Sequence, residues 1–206
     1  TLYYPNVENY IRCYDEMSYN VVLQVNRWHF FLENIHNDFG CSLVHIVRHP
    51  NSVYQSMVKG RGIKSWIFKY RLFYIYAWHK KLYNYYQRPR YLSNDTLCIK
   101  KLNFFRDTYN LFFISWVLSN YEAIKSIQNT KSYLIVYEDL IASPKKYDNL
   151  FLNEIGLKTN LSSVLNSSKH TELNYGALQK KAEQLDVGFE YDYIYRYLKS
   201  NNTILN

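Results

Sequence analysis

The stretch LVHIVRHPNSVYQSMVK, Leu43 to Lys59, decides the fold. Leu43–Val47 has the length and the β-branched composition of a buried strand. Arg48 follows it directly, at the end where open α/β sheets bind their ligands. Pro50 fixes the turn and opens a helix, since its ring presets the first helical φ. Val53, Met57 and Val58 share one side of that helix, and Gly60 and Gly62 end it. Ser56 comes eight residues after Arg48, about two turns into the helix. A guanidinium in this position grips a phosphate through two parallel hydrogen bonds. The helix N-terminus beside it adds free N–H groups and the positive end of a dipole. Alone, a strand-tip Arg is more often an ordinary surface residue. The surrounding pattern gives this one its weight.

Working outward, Val21–Val25 reads as an earlier strand. Trp28, Phe31, Leu32 and Ile35 recur at helical spacing, and Gly40 closes that helix. Strand, helix, strand in so short a stretch is a βαβ unit, with parallel strands and a right-handed crossover. Downstream, Ile63 to Tyr86 is aromatic, basic and helical in pattern, and Arg88 to Lys101 is the least regular stretch. Phe104–Gln128 reads as one long helix with Phe112, Trp116 and Tyr121 among its apolar positions. Tyr133–Tyr137 reads as a third strand. Ser143-Pro144 starts a helix that carries Tyr147, Leu150 and Phe151 and stops at Gly156. Ala177 to Leu185 and Tyr191 to Leu198 are further helices. The expected architecture is one α/β domain over 1–206, a short parallel sheet flanked by helices.

Bulk composition agrees. The 206 residues suit one domain, and 48% hydrophobic content permits a sizeable core. With 20% charged residues and little Pro or Gly, the chain is not of disordered type. A net charge of +8 favours anionic partners, or serves solubility alone. No Lys/Arg run with interleaved Gly and aromatics marks a nucleic-acid module, so no nucleic acid is expected. Cys13, Cys41 and Cys98 are too scattered for a metal cluster or a disulfide framework, and Cys41 and Cys98 sit among apolar neighbours. They suggest a reducing, cytoplasmic compartment. No apolar run is long enough to span a bilayer.

The Leu43–Lys59 pattern resembles the segment with which the sulfotransferases dependent on 3′-phosphoadenosine-5′-phosphosulfate (PAPS) bind the 3′-phosphate. Arg48, Pro50 and Ser56 match it in kind and spacing, as does apolar Val53. Tyr137, Glu138, Asp139, Leu140, Pro144 and Gly156 follow a second plan of that family, a strand ending in Tyr-Glu-Asp-Leu before a Pro-initiated helix. The long helix with Trp116 and Asn120 is similar to the one preceding that strand in prokaryotic-type members. The resemblance covers roughly Val21 to Leu157.

It implies a P-loop-like three-layer fold, PAPS as sulfuryl donor, and no metal. Arg48 and Ser56 would bind the 3′-phosphate, Tyr137 would approach the adenine, and Thr171, with Leu173, would lie against it. For Tyr137 a core role at the strand end is equally open. Glu138 and Asp139 read as a helix cap or as partners of a basic neighbour. His29 is the candidate base, standing one turn beyond the family's His position, which Asn26 occupies here; a core-satisfied or solvent-facing His29 stays open.

The family's Lys-Ser-Gly-Thr loop for the 5′-phosphosulfate is absent from these residues. The expectation is a sulfotransferase-like domain lacking its N-terminal phosphosulfate-binding loop. The implied acceptor is a small molecule, glycan or lipid bearing a hydroxyl or amine. Two alternatives stay open: another P-loop-like nucleotide-dependent transferase such as a kinase, and a non-catalytic relic of the fold.

Overall fold

A computed structural model describes residues 4–15, 22–23, 31–59, 104–165 and 174–201. Helix α1 spans Tyr4–Asp15 and α2 Leu32–Phe39. Gly40 ends α2 in the left-handed region (φ 60°), and its N–H caps the His36 carbonyl at 2.8 Å. Glycine reaches that conformation without a Cβ clash, which explains the helix stop seen in the sequence. Strand β1 (Leu43–Val47) follows, then α3 (Pro50–Lys59) and the 25-residue α4 (Phe104–Gln128). Strand β2 (Ser132–Val136) leads directly into α5 (Tyr137–Ala142) and α6 (Pro144–Leu150).

A π-turn over Phe151–Ile155 is closed by Gly156, again left-handed at φ 74°. The short α7 (Leu161–Val164), a 3₁₀ turn (Gly176–Leu178), α8 (Gln179–Gln184) and α9 (Gly188–Asn201) complete the described elements. The described residues are thus mostly helical around a small parallel sheet.

β1 and β2 pair in parallel, Leu43 opposite Ser132 through Val47 opposite Val136. Parallel strands need a crossover, and here it includes α3 and α4. The register brings both carboxyl ends side by side. Arg48 leaves one strand where Tyr137 leaves the other.

Helix α4 lies on one face of this sheet. Every residue from Leu111 to Leu118 is buried, so α4 is covered all round, as an apolar helix with no polar face must be. Val47 and Val136 meet it from the sheet, Val58 from α3, and Tyr191, Ile194 and Leu198 from α9, in one core. On the opposite face Ile135 packs with Leu140 and Tyr147. That cover stops short of β1, whose Val44 and Ile46 are 38% and 49% exposed.

Two expectations need correction. Tyr137 is not a strand residue: β2 ends at Val136, and Tyr137 begins α5. Glu138 and Asp139 fill the first turn of α5, where carboxylates are favoured by the helix dipole, and this ends the strand one residue early. The earlier strand expected at Val21–Val25 falls largely outside the described residues; Val22 and Leu23, which are described, are not in a strand. Leu23 packs instead near Ile11 and Ile35, between α1 and α2.

Candidate functional site

The carboxyl ends of β1 and β2 gather Arg48, His49, Tyr137, Glu138 and, from the chain just before α8, Tyr175. Arg48 is half-buried. Its carbonyl accepts the Trp116 indole N–H of α4 at 3.1 Å, which fixes the backbone. Its guanidinium lies over the Tyr137 ring, 4.6 Å from the centroid. Such stacking is worth about 0.5–2 kcal/mol, more as water is excluded. Nε of Arg48 is buried without a hydrogen-bond partner, and among the described residues no carboxylate pairs with this charge. An unsatisfied buried donor costs about 1–3 kcal/mol, so its persistence at a strand tip calls for an explanation.

His49 is 2% exposed. Its main-chain N–H donates to Glu138 Oε1 at 3.0 Å, and its Nδ1 accepts the Asn51 N–H at 3.3 Å. Its ring stands edge-on to Tyr175, 4.7 Å between centroids. Burial pushes the imidazole pKa down to about 4, with the Asn174 carbonyl opposing in part. The ring is therefore neutral at physiological pH.

Glu138 is the hub of the site. Oε1 holds the His49 amide, and Oε2 accepts the Tyr175 hydroxyl at 3.1 Å. Tyr175 is itself buried, and its carbonyl accepts the Tyr191 hydroxyl at 2.6 Å. Burial first, then the Glu138 charge, raises the Tyr175 pKa, while Arg48 pulls it down slightly; the phenol stays protonated. One carboxylate thus ties the β1–α3 turn to the C-terminal helices.

The other expected residues divide. Ser56 is exposed on α3, whose Val53 and Met57 pack on the core. Thr171 and His29 lie outside the described residues, as do His170 and Cys98. Cys41 is half-buried. Asp139 meets its expectation: it pairs with Lys146 at 2.8 Å and accepts the Tyr147 hydroxyl. Glu138 stands in the first turn of α5, and its hydrogen-bond partners among the described residues are the His49 amide and the Tyr175 hydroxyl. Of the described histidines near the sheet, His45 is buried against α4 and bonded to Asn120 at 3.1 Å.

Sequence reading missed His49 and Tyr175. His49 is offered only as a turn residue by its neighbours, and Tyr175 joins Glu138 from 37 positions away. No local signal marks that contact.

At this end of the sheet the Arg48 guanidinium, whose buried Nε lacks a partner, can bind an anion. Among the described residues no group of His, Cys, Asp and Glu is arranged to hold a metal. No described helix is long and apolar enough to cross a membrane. No protein-family model matches the chain, and no solved structure matches it. The chain is similar to an uncharacterized protein of Archaeoglobus fulgidus, 24% identical over 161 residues. Those residues make up 71% of this chain and 52% of that protein, so the chain spans about half the length of this relative.

Proposed function

We propose that the protein binds a 3′-phosphorylated adenine nucleotide at the carboxyl ends of β1 and β2, and that its reaction is sulfuryl transfer from PAPS to an acceptor hydroxyl or amine. Arg48 carries the reading: a half-buried guanidinium at a parallel strand tip, with Nε unsatisfied and no described carboxylate to neutralise it. A phosphate monoester supplies both the missing acceptor and the missing charge. The placement also fits the general rule for open α/β sheets. Glu138 already holds the His49 amide, so the anion's contacts fall to the Arg48 side chain and the residues of α3.

In this reading Arg48 and Ser56 hold the 3′-phosphate, Tyr137 steadies the Arg48 guanidinium over its ring, and Thr171 belongs to the adenine side. The P-loop-like three-layer fold belongs to the same proposal. α4 supplies one helical layer, and α6 supplies part of the other. PAPS would contribute an activated sulfuryl group. The chain's own residues at this site position the nucleotide end, remote from the reacting sulfur.

Calorimetry with 3′-phosphoadenosine-5′-phosphate and with AMP tests the reading. Tighter binding of the bisphosphate, and loss of most of the difference in Arg48→Ala, is the expected result. A charge-assisted contact contributes about 1.5–3 kcal/mol, so the loss should be roughly 10- to 150-fold in affinity. Equal affinities for the two nucleotides would sink the assignment.

A further inference from the structure

We infer that His49 supplies, through Nε2–H, a second hydrogen bond to the phosphate held by Arg48. The inference rests on the nucleotide reading above and adds to it a residue that no sequence pattern marks.

Two consecutive residues at the end of β1 each bury a nitrogen without a hydrogen-bond partner: Arg48 Nε and His49 Nε2. Buried polar groups in folded proteins are nearly always paired, and each exception asks for an explanation, a bound ion being one. For His49 the tautomer is fixed by its other nitrogen. Nδ1 accepts the Asn51 N–H, which leaves the ring proton on Nε2. The orphan is therefore a donor, as a phosphate requires.

Both donors stand beside Tyr175: the His49 ring packs edge-on against it at 4.7 Å, and the Arg48 charge is close enough to act on the same tyrosine. The Asn174 carbonyl lies near the imidazole, yet it makes no hydrogen bond to Nε2 of acceptable geometry. Glu138 fixes the His49 backbone, and Asn51 fixes the ring, so the donor is held before any ligand arrives.

Because the imidazole is neutral, its contribution differs in kind from that of Arg48. A neutral donor adds a hydrogen bond that salt does little to screen, whereas the attraction of a half-exposed guanidinium weakens as ionic strength rises.

The experiment is calorimetry of 3′-phosphoadenosine-5′-phosphate binding to the full chain at low and high salt, with His49→Leu, His49→Gln and Arg48→Ala. His49→Leu should weaken binding roughly 10-fold, by a factor that salt does not change. His49→Gln, whose amide nitrogen reaches the position of Nε2, should recover most of it. The Arg48→Ala loss should shrink with salt. NMR of the wild-type protein gives a readout independent of folding in the variants: the His49 Nε2–H resonance should move downfield on saturation with the nucleotide. A resonance that stays in place, or His49→Leu binding as wild type while Arg48→Ala loses affinity, overturns the role of His49 and leaves the nucleotide reading standing. Wild-type affinity in Arg48→Ala overturns both.

Discussion

Glu138 accepts the main-chain N–H of His49 at 3.0 Å across 89 positions of sequence. The bond joins the residue after Arg48 to the residue after Tyr137, so each of the two strand tips is braced by the other. Its second oxygen reaches Tyr175, and through Tyr175 the brace continues to Tyr191 in α9. The strand ends and the C-terminal helices are in this way one mechanical unit.

Removing that carboxylate should be costly out of proportion to its partial exposure. Glu138→Ala leaves a main-chain N–H and a buried phenol without their acceptor. Each such loss is worth about 1–3 kcal/mol, so urea denaturation should show about 2–6 kcal/mol of destabilisation. Glu138→Gln keeps a carbonyl acceptor for one of the two donors and should lose less. Equal stability of Glu138→Ala and wild type would show that the brace carries no energy.

Acid should loosen the same unit through His49. Its folded pKa lies near 4, below the ordinary value of 6.5, because burial disfavours the imidazolium. The unfolded chain therefore binds the proton first as pH falls. The stabilisation is fully present above about pH 6.5, is lost on the way down to about pH 4, and changes little below that. The Asn174 carbonyl favours protonation and offsets part of the burial effect. Thermal melts between pH 7 and pH 4 should show a slope of at most one proton, which His49→Gln flattens. An identical pH profile in His49→Gln would mean that the imidazole titrates normally in the fold.

Much of the fold is legible in the sequence where local rules act alone. The Phe104–Gln128 helix is found at its full extent because no Pro or Gly interrupts it and its apolar residues run all round. The Pro50 and Pro144 starts and the Gly40 and Gly156 stops are legible because each rests on the φ preference of a single residue. The end of β2 is not legible to the residue. Tyr137 has strand propensity, and the helix claims it through the carboxylates that follow. Arg48 could be found from its strand-tip position. Its neighbours His49, Glu138 and Tyr175 could not be grouped, since only tertiary packing brings Asn174–Tyr175 against the β1–α3 turn.

The contact between Arg48 and Tyr137 separates two explanations of the tyrosine. If its ring serves by steadying the guanidinium 4.6 Å above it, Tyr137→Phe should bind 3′-phosphoadenosine-5′-phosphate nearly as wild type. Tyr137→Leu should then lose roughly 2- to 30-fold in affinity, the value of a cation–π contact between exposed and desolvated settings. The decisive measurement is the double-mutant cycle. In an Arg48→Ala background there is no cation left to steady, so Tyr137→Leu should add little further loss, and the two residues should show a coupling energy. If Tyr137 instead stacks on adenine, its contribution is independent of the arginine. The loss from Tyr137→Leu then persists in full in the Arg48→Ala background, and AMP, which shares the base but not the 3′-phosphate, is weakened by the same factor. The guanidinium already covers one face of the ring, so we expect strong coupling and little effect on AMP.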